Sequence, residues 1–232
     1  MAEPITHSAA LVTRSLAVRR GARILFDDMT WILPPGKFLA VTGASGAGKT
    51  SLLACLAGAV AAAAGEFRFA DARRDAVGRV FQDFRLTPNL SLLTNVLCGR
   101  LGAYGWRQTL FGFPRGEQQR AFVFLHRLGL AEQTHLLARR ASGGEQQRAA
   151  LARVLLQDPP VILADEPTSN LDAALADRVL RILRGRCLSE GKTVVAVLHE
   201  RRLVSEFADY ELRIGADAGA GGWSFAEIIR ER

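Results

Sequence analysis

Lysine is nearly absent from the 232-residue chain: Lys37, Lys49 and Lys192 are its only three, and the other 27 of its 30 basic residues are arginine. No basic block interrupts the sequence. The net charge of +7 therefore reads first as a solvated surface, with nucleic acid or an anionic membrane left open as contacts. Cysteine is scarce too. Cys55, Cys98 and Cys187 are odd in number and widely spaced, which argues against a disulfide or zinc framework and fits a reducing cytoplasm. Long apolar runs are missing: the longest charge-free apolar stretch, residues 51–65, is too short and too rich in Ala and Gly to span a bilayer. No basic-then-apolar leader opens the chain, so secretion is not expected. Neither an internal repeat nor a Pro/Ser linker divides it. What remains is a globular composition, 49% hydrophobic and 23% charged, with length for one large domain or two small ones and a sizeable core.

From residue 11 to 42 short apolar runs alternate with turn signals at Arg20-Gly21 and Pro34-Pro35-Gly36, the pattern of a small sheet-rich lobe. Residues 37–42 form a candidate buried strand that runs into a Gly-rich turn, and an apolar helix begins at Thr50. Gly65 stops the Ala-rich stretch, and residues 66–69 return to strand-like alternation. Between residues 91 and 141 the period becomes helical: Ala121, Phe124, Leu125 and Leu128 lie at i, i+3, i+4 and i+7, with Gly129 placed as a stop. Residues 102–116, rich in Gly and aromatics, read as a loop. Leu151, Val154 and Leu155 mark another amphipathic helix, closed by Asp158-Pro159-Pro160. Apolar runs at 161–164 and 193–198, separated by a helical segment, argue for a parallel sheet covered by helices.

Three segments carry chemistry. Gly43-Ala44-Ser45-Gly46-Ala47-Gly48-Lys49-Thr50 fits G-x-x-x-x-G-K-[ST]. Such a turn aims successive backbone N–H groups at a triphosphate, and the following helix adds its positive end. Lys49 would reach the β- and γ-phosphates and Thr50 would hold Mg²⁺. Second, the apolar run at 161–164 ends in Asp165-Glu166. A buried strand delivers Asp165 to the carboxyl edge of the sheet, where it can orient Mg²⁺ through water, while Glu166 could polarise an attacking water. Third, Ser142-Gly143-Gly144-Glu145 opens a helix with the capping-box pattern and leaves N–H groups facing outward as an anion site. Two triphosphate-binding surfaces on one chain suggest a dimer in which each site is completed in trans.

In this order the segments resemble the ATP-binding subunit of an ABC transporter, over about residues 11–214. Residues 43–50 match that family's Walker A, Ser142-Gly143-Gly144-Glu145-Gln146-Gln147-Arg148 its signature, residues 161–166 its Walker B and Ser169-Asn170-Leu171-Asp172 its D-loop. Gln82 matches the Q-loop and His199 the switch histidine. The resemblance implies an α/β P-loop NTPase fold: an antiparallel β lobe, a RecA-like parallel-sheet core and a helical subdomain at about 83–158. The ATP-binding domain would span 9–214, with a short tail at 215–232. It further implies a cofactor-binding set of Gly43, Ala44, Ser45, Gly46, Ala47, Gly48, Lys49, Thr50 and Ser51, with Ser142, Gly143, Gly144 and Asp172 facing ATP across a sandwich homodimer. Glu166, His199, Gln82 and Lys49 are the implied catalytic residues, and Thr50, Gln82 and Asp165 the implied Mg²⁺ site. Two departures stand out. Arg20 occupies the position of the aromatic that usually stacks on adenine, and Ala141 replaces the signature's first Leu; either a guanidinium plane at Arg20 stacks instead, or base recognition is weak or lies elsewhere.

The run Asn95-Val96-Leu97-Cys98-Gly99-Arg100-Leu101-Gly102, with Trp106 and Phe111-Gly112-Phe113-Pro114 beyond it, is similar to ATPases of phosphonate importers. Phe81-Gln82-Asp83-Phe84-Arg85, Glu145 and residues 165–172 look more like lipoprotein-release and cell-division ABC ATPases, the alternative reading. Implied partners are integral permease subunits and, through them, a solute-binding protein, at the cytoplasmic face of the plasma membrane. Nucleic acid is not an expected partner: ABC-type relatives that act on it carry coiled-coil arms, zinc cysteines or tandem nucleotide domains, which this sequence lacks.

Overall fold

The computed structural model describes residues 10–70, 77–80, 83–104, 112–215, 218 and 222–229. The chain forms two units, one of Met1–Val77, Pro160–Glu166 and Leu180–Arg232, the other of Gly78–Pro159 and Pro167–Val179.

In the first unit the sheet-rich start becomes three antiparallel strands, β1 (Leu11–Arg20), β2 (Arg23–Leu33) and β4 (Ala64–Phe69), in the order β2-β1-β4. The turn between β1 and β2 is Gly21-Ala22, where Gly21 takes φ 60° and Arg20 pairs with Arg23. A second sheet orders β6 (Val161–Ala164), β7 (Thr193–Val197), β3 (Phe38–Gly43), β8 (Tyr210–Ile214) and β9 (Trp223–Glu227) as β6-β7-β3-β8-β9. β3 pairs in parallel with β7 and β8, and β6 with β7, while β9 closes the edge antiparallel to β8. Every residue of β6 and β7 is buried, as expected of strands covered on both faces. Because β3, β6 and β7 are parallel, their carboxyl ends share one edge. Leu39, Val41, Leu52, Leu56, Val195 and Val197 make the core with Phe26, Met29 and Leu33 of β2.

The tail expected at 215–232 contains β9. The Gly/Ala stretch before it hides a strand that is anchored by aromatics: Phe225 stacks on both Trp31 and Tyr210, and Trp223 Nε1 donates to the Asp27 carbonyl at 3.0 Å.

The second unit is helical after β5 (Val77–Val80). It holds α2 (Leu92–Leu97), a 3-10 turn at Cys98–Ala103, α3 (Arg115–Arg127) and α4 (Gly143–Gln157); α1 (Lys49–Leu56) belongs to the first unit. α5 (Ala173–Glu190) starts in the second unit and ends in the first, where α6 (Arg201–Phe207) also lies. Ala121, Leu125 and Leu128 are fully buried, Phe124 is half-buried and Gly129 takes φ 72°, so the stop read from sequence closes α3 and three of the four periodic residues face its core. Buried Asn95 organises the approach to α2: its Nδ2 donates to the carbonyls of Thr87, Leu90 and Ser91, and its Oδ1 accepts from the Thr87 amide at 2.7 Å. α3 starts at Arg115, inside the expected loop at 102–116; Trp106, Leu110 and Phe111 lie outside the described residues. Among the described residues, no helix is long and apolar enough to cross a membrane.

Candidate functional site

β3 ends in Gly43 and the turn of residues 44–48 carries the chain into α1. Gly48 is the N-cap of α1 at φ 107°, and no side chain caps the helix. Its first amides are thus left for an external acceptor. Lys49 is 6% exposed, and its Nζ donates to the Gly43 and Ala44 carbonyls at 2.9 Å each. The ammonium is stored inside the loop, on these two carbonyls. Ala44, Ser45 and Gly46 are exposed. From below, the loop rests on β2: a methyl group on Gly48 would come within 2.8 Å of Leu25 Cδ1 and 3.1 Å of Phe26 Cε1. Leu25 and Phe26 carry no such role in the sequence, where an apolar pair in a strand signals only burial.

Asp165 follows β6 at the same sheet edge and is 8% exposed. Thr50 Oγ1 donates to its Oδ1 at 3.3 Å. A hydroxyl and a carboxylate so close make a hard-oxygen pair of the kind Mg²⁺ accepts when phosphates and water complete its shell, so these residues fit that ion. Among the described residues no group of three His, Cys, Asp or Glu could hold a metal without such help. Glu166 has φ 49°, a left-handed conformation that an ordinary side chain adopts at some cost. This kink separates its direction from that of Asp165. Glu166 Oε1 lies 2.8 Å from His199 Nε2, which follows β7 at the same edge. Thr42, one residue before the loop, donates to Glu211 Oε1 at 2.6 Å.

The first unit therefore brings Lys49, Thr50, Asp165, Glu166 and His199 to one sheet edge. Arg20 is exposed at the end of the β1–β2 hairpin. Gln82 lies outside the described residues.

In the second unit Ser142 opens α4 with the full capping box: its Oγ accepts from the Glu145 amide at 3.3 Å, and Glu145 Oε2 accepts from the Ser142 amide at 2.7 Å. Ser142 and Gly143 are exposed. Gly144 packs on the segment that follows Walker B, where a methyl group would meet the Asn170 carbonyl oxygen at 3.1 Å. Asp172 Oδ1 accepts from the Leu175 amide at 2.9 Å, which makes Asp172 a cap of α5. Burial lowers the affinity of the Arg148 guanidinium for its proton, and the charges of Glu145 and Asp172 oppose that shift.

The comparisons agree on a single family. The family model described as ABC transporter matches residues 26–169. The chain is 40% identical over 207 residues to a phosphonates import ATP-binding protein of Trichormus variabilis, covering 85% of this chain and 84% of the relative. It is 37% identical over 216 residues to a phosphite import ATP-binding protein of Stutzerimonas stutzeri, covering 89% and 78%. A dimeric ATP-binding cassette in a post-hydrolysis state, bound to ADP and Pi, superposes with a TM-score of 0.78 at 26% identity, covering 88% of this chain and 93% of the cassette.

Proposed function

The chain belongs to the ABC transporter family, and on that premise we propose that it is the ATP-hydrolysing motor of an importer for phosphonate-type solutes. The observation that carries the motor chemistry is the meeting of the Lys49 loop, the Thr50–Asp165 pair and the Glu166–His199 pair at one sheet edge. The names of the phosphonate and phosphite relatives support the solute class.

The residues divide the work as follows. Backbone amides of residues 44–51 receive the triphosphate. Lys49 Nζ exchanges the carbonyls of Gly43 and Ala44 for β- and γ-phosphate oxygens, trading neutral acceptors for charged ones. Thr50, Asp165 and Gln82 would hold Mg²⁺, which neutralises phosphate charge when bound. Glu166 accepts a proton from the attacking water, and His199 contacts the γ-phosphate and orients the Glu166 carboxylate. Arg20 offers its guanidinium plane to adenine.

The motor works as a homodimer. Ser142, Gly143, Gly144 and Asp172 of each copy close over ATP held by the other, so binding drives closure and hydrolysis releases it. Permease subunits ride on that closure at the cytoplasmic face of the plasma membrane, and a solute-binding protein acts through them. A surface of net +7 suits the anionic leaflet there.

Glu166→Gln should keep ATP affinity, reduce turnover by about a hundredfold or more and trap an ATP-bound dimer; near-normal ATPase in that variant would sink the base assignment. For the solute, the chain co-purified with its permease should hydrolyse ATP faster when a binding protein loaded with an alkylphosphonate is added. Partnership instead with a subunit bearing a large periplasmic domain, and no response to solute, would favour extraction or signalling.

A further inference from the structure

Immediately beyond Gln82 the backbone does something costly. Phe84 and Arg85 take φ 53° and 46°, two successive left-handed residues without a glycine, a conformation that persists only where the surroundings impose it. The imposing group is on α4, the signature helix. Arg153 Nη2 donates to the Phe84 carbonyl at 2.8 Å and Nη1 to the Arg85 carbonyl at 2.6 Å, so one planar fork grips both strained peptides. The guanidinium is half-buried between these carbonyls and the neighbouring turn, and burial lowers its affinity for the proton. Gly99 supplies the room: a methyl group there would lie 2.5 Å from the Arg153 carbonyl oxygen and 3.2 Å from its Cγ. Gly99 sits in the run 95–102 that resembles phosphonate-importer ATPases.

We propose that Arg153 is a positioning residue that ties the signature helix to the segment leaving Gln82. Movement of the 98–103 turn or of α4 is passed through the fork to residues 84–85, which follow Gln82 in the chain. A lysine there keeps the charge but lacks the planar fork, so it holds the two carbonyls less rigidly. Arg153 touches neither ATP nor water in this scheme and acts only through Gln82, so the proposal rests on the motor reading above.

The test uses the full chain with Arg153→Gln. Peptides covering residues 83–86 should exchange amide hydrogen about tenfold faster without nucleotide. With Mg-ATP, kcat should fall about tenfold while KM and the ATP dissociation constant stay within about twofold. Arg153→Lys should recover part of kcat, and Gly99→Ala, which keeps the charge but displaces it, should lower kcat in the same direction. Unchanged exchange at 83–86, unchanged kcat, or a kcat loss matched by equal losses of ATP affinity and Tm would overturn the positioning role. Glu166→Gln measured alongside separates the two readings. Normal turnover in Glu166→Gln overturns the base assignment, whereas normal turnover in Arg153→Gln overturns only the clamp.

Discussion

Gly43 ends β3 at φ 139°, and a methyl group built there would lie 1.9 Å from the Ile214 carbonyl oxygen on the paired strand β8. Gly46, three residues on, has φ 79° and nothing within 4 Å of that position. The same motif thus holds one glycine demanded by a neighbouring backbone and another demanded only by its own dihedral. Gly43→Ala should cost on the order of 3 kcal/mol and abolish ATP binding, because backbone on both strands must part. Gly46→Ala should cost about 1–2 kcal/mol and leave the fold intact. Denaturant midpoints of the two variants, with ATP titrations beside them, check the contrast; equal losses would contradict it. The G-x-x-x-x-G-K-[ST] spacing makes such a loop legible in the sequence but ranks no glycine above another, since Ile214 is 171 positions away. Glu166 was legible as a carboxylate after an apolar run. Its left-handed backbone was not, because nothing in Asp165-Glu166 encodes which way the chain turns.

Among the elements, the C-terminal part of α5 is tied to the β3–β8 region by one ion pair. Arg184 donates to both carboxylate oxygens of Asp209, with Nη2 to Oδ1 at 2.7 Å, and Asp209 Oδ2 also accepts from the Phe38 amide at 2.9 Å. Both side chains are only 14% exposed. Burial pushes the Asp209 carboxyl up, but the bonds from Arg184 and Phe38 pull harder, and the net is below the usual carboxylate range. The hydrogen bond to Asp209 raises Arg184 in turn. A depressed carboxyl contributes its stability in full above its unfolded pKa of about 3.9 and loses it as pH falls through the lower folded value. Asp209→Asn should therefore cost about 3 kcal/mol at pH 7, since it strands the guanidinium. Its deficit against wild type should shrink as pH drops below about 4; a deficit independent of pH across that range would contradict the assignment. No local pattern announces this pair, which depends on residues 25 positions apart. By contrast, Ser142 and Glu145 are three apart, and their reciprocal cap was readable because its geometry is local. β9 was missed for the opposite reason: Trp223 and Phe225 acquire meaning only from Asp27, Trp31 and Tyr210.

For the whole molecule, the scarcity of lysine that opened the sequence turns out to bear on chemistry more than on charge. One of the three lysines, Lys49, is buried in the phosphate loop, and among the described residues Arg153 and Arg184 serve as structural forks. The candidate groups also divide between the two units: Lys49, Thr50, Asp165, Glu166 and His199 lie in the first, and Ser142, Gly143, Gly144 and Asp172 in the second. If ATP held by one copy is closed over by the second unit of another, damage to Ser142 must leave binding to a single copy untouched and remove only association. The background for that experiment is Glu166→Gln, in which bound ATP should persist. Adding Ser142→Arg places a bulky cation where exposed amides should meet phosphate, and costs about 1 kcal/mol of helix cap. The double variant should bind ATP within about twofold of Glu166→Gln alone. Light scattering should then find the Glu166→Gln chain dimeric in ATP and monomeric without it, and the double variant monomeric in both. A double variant that still dimerises with ATP would place the second triphosphate contact elsewhere. One that loses ATP binding as a monomer would assign Ser142 to its own chain's site and remove the reason for a dimer closed in trans.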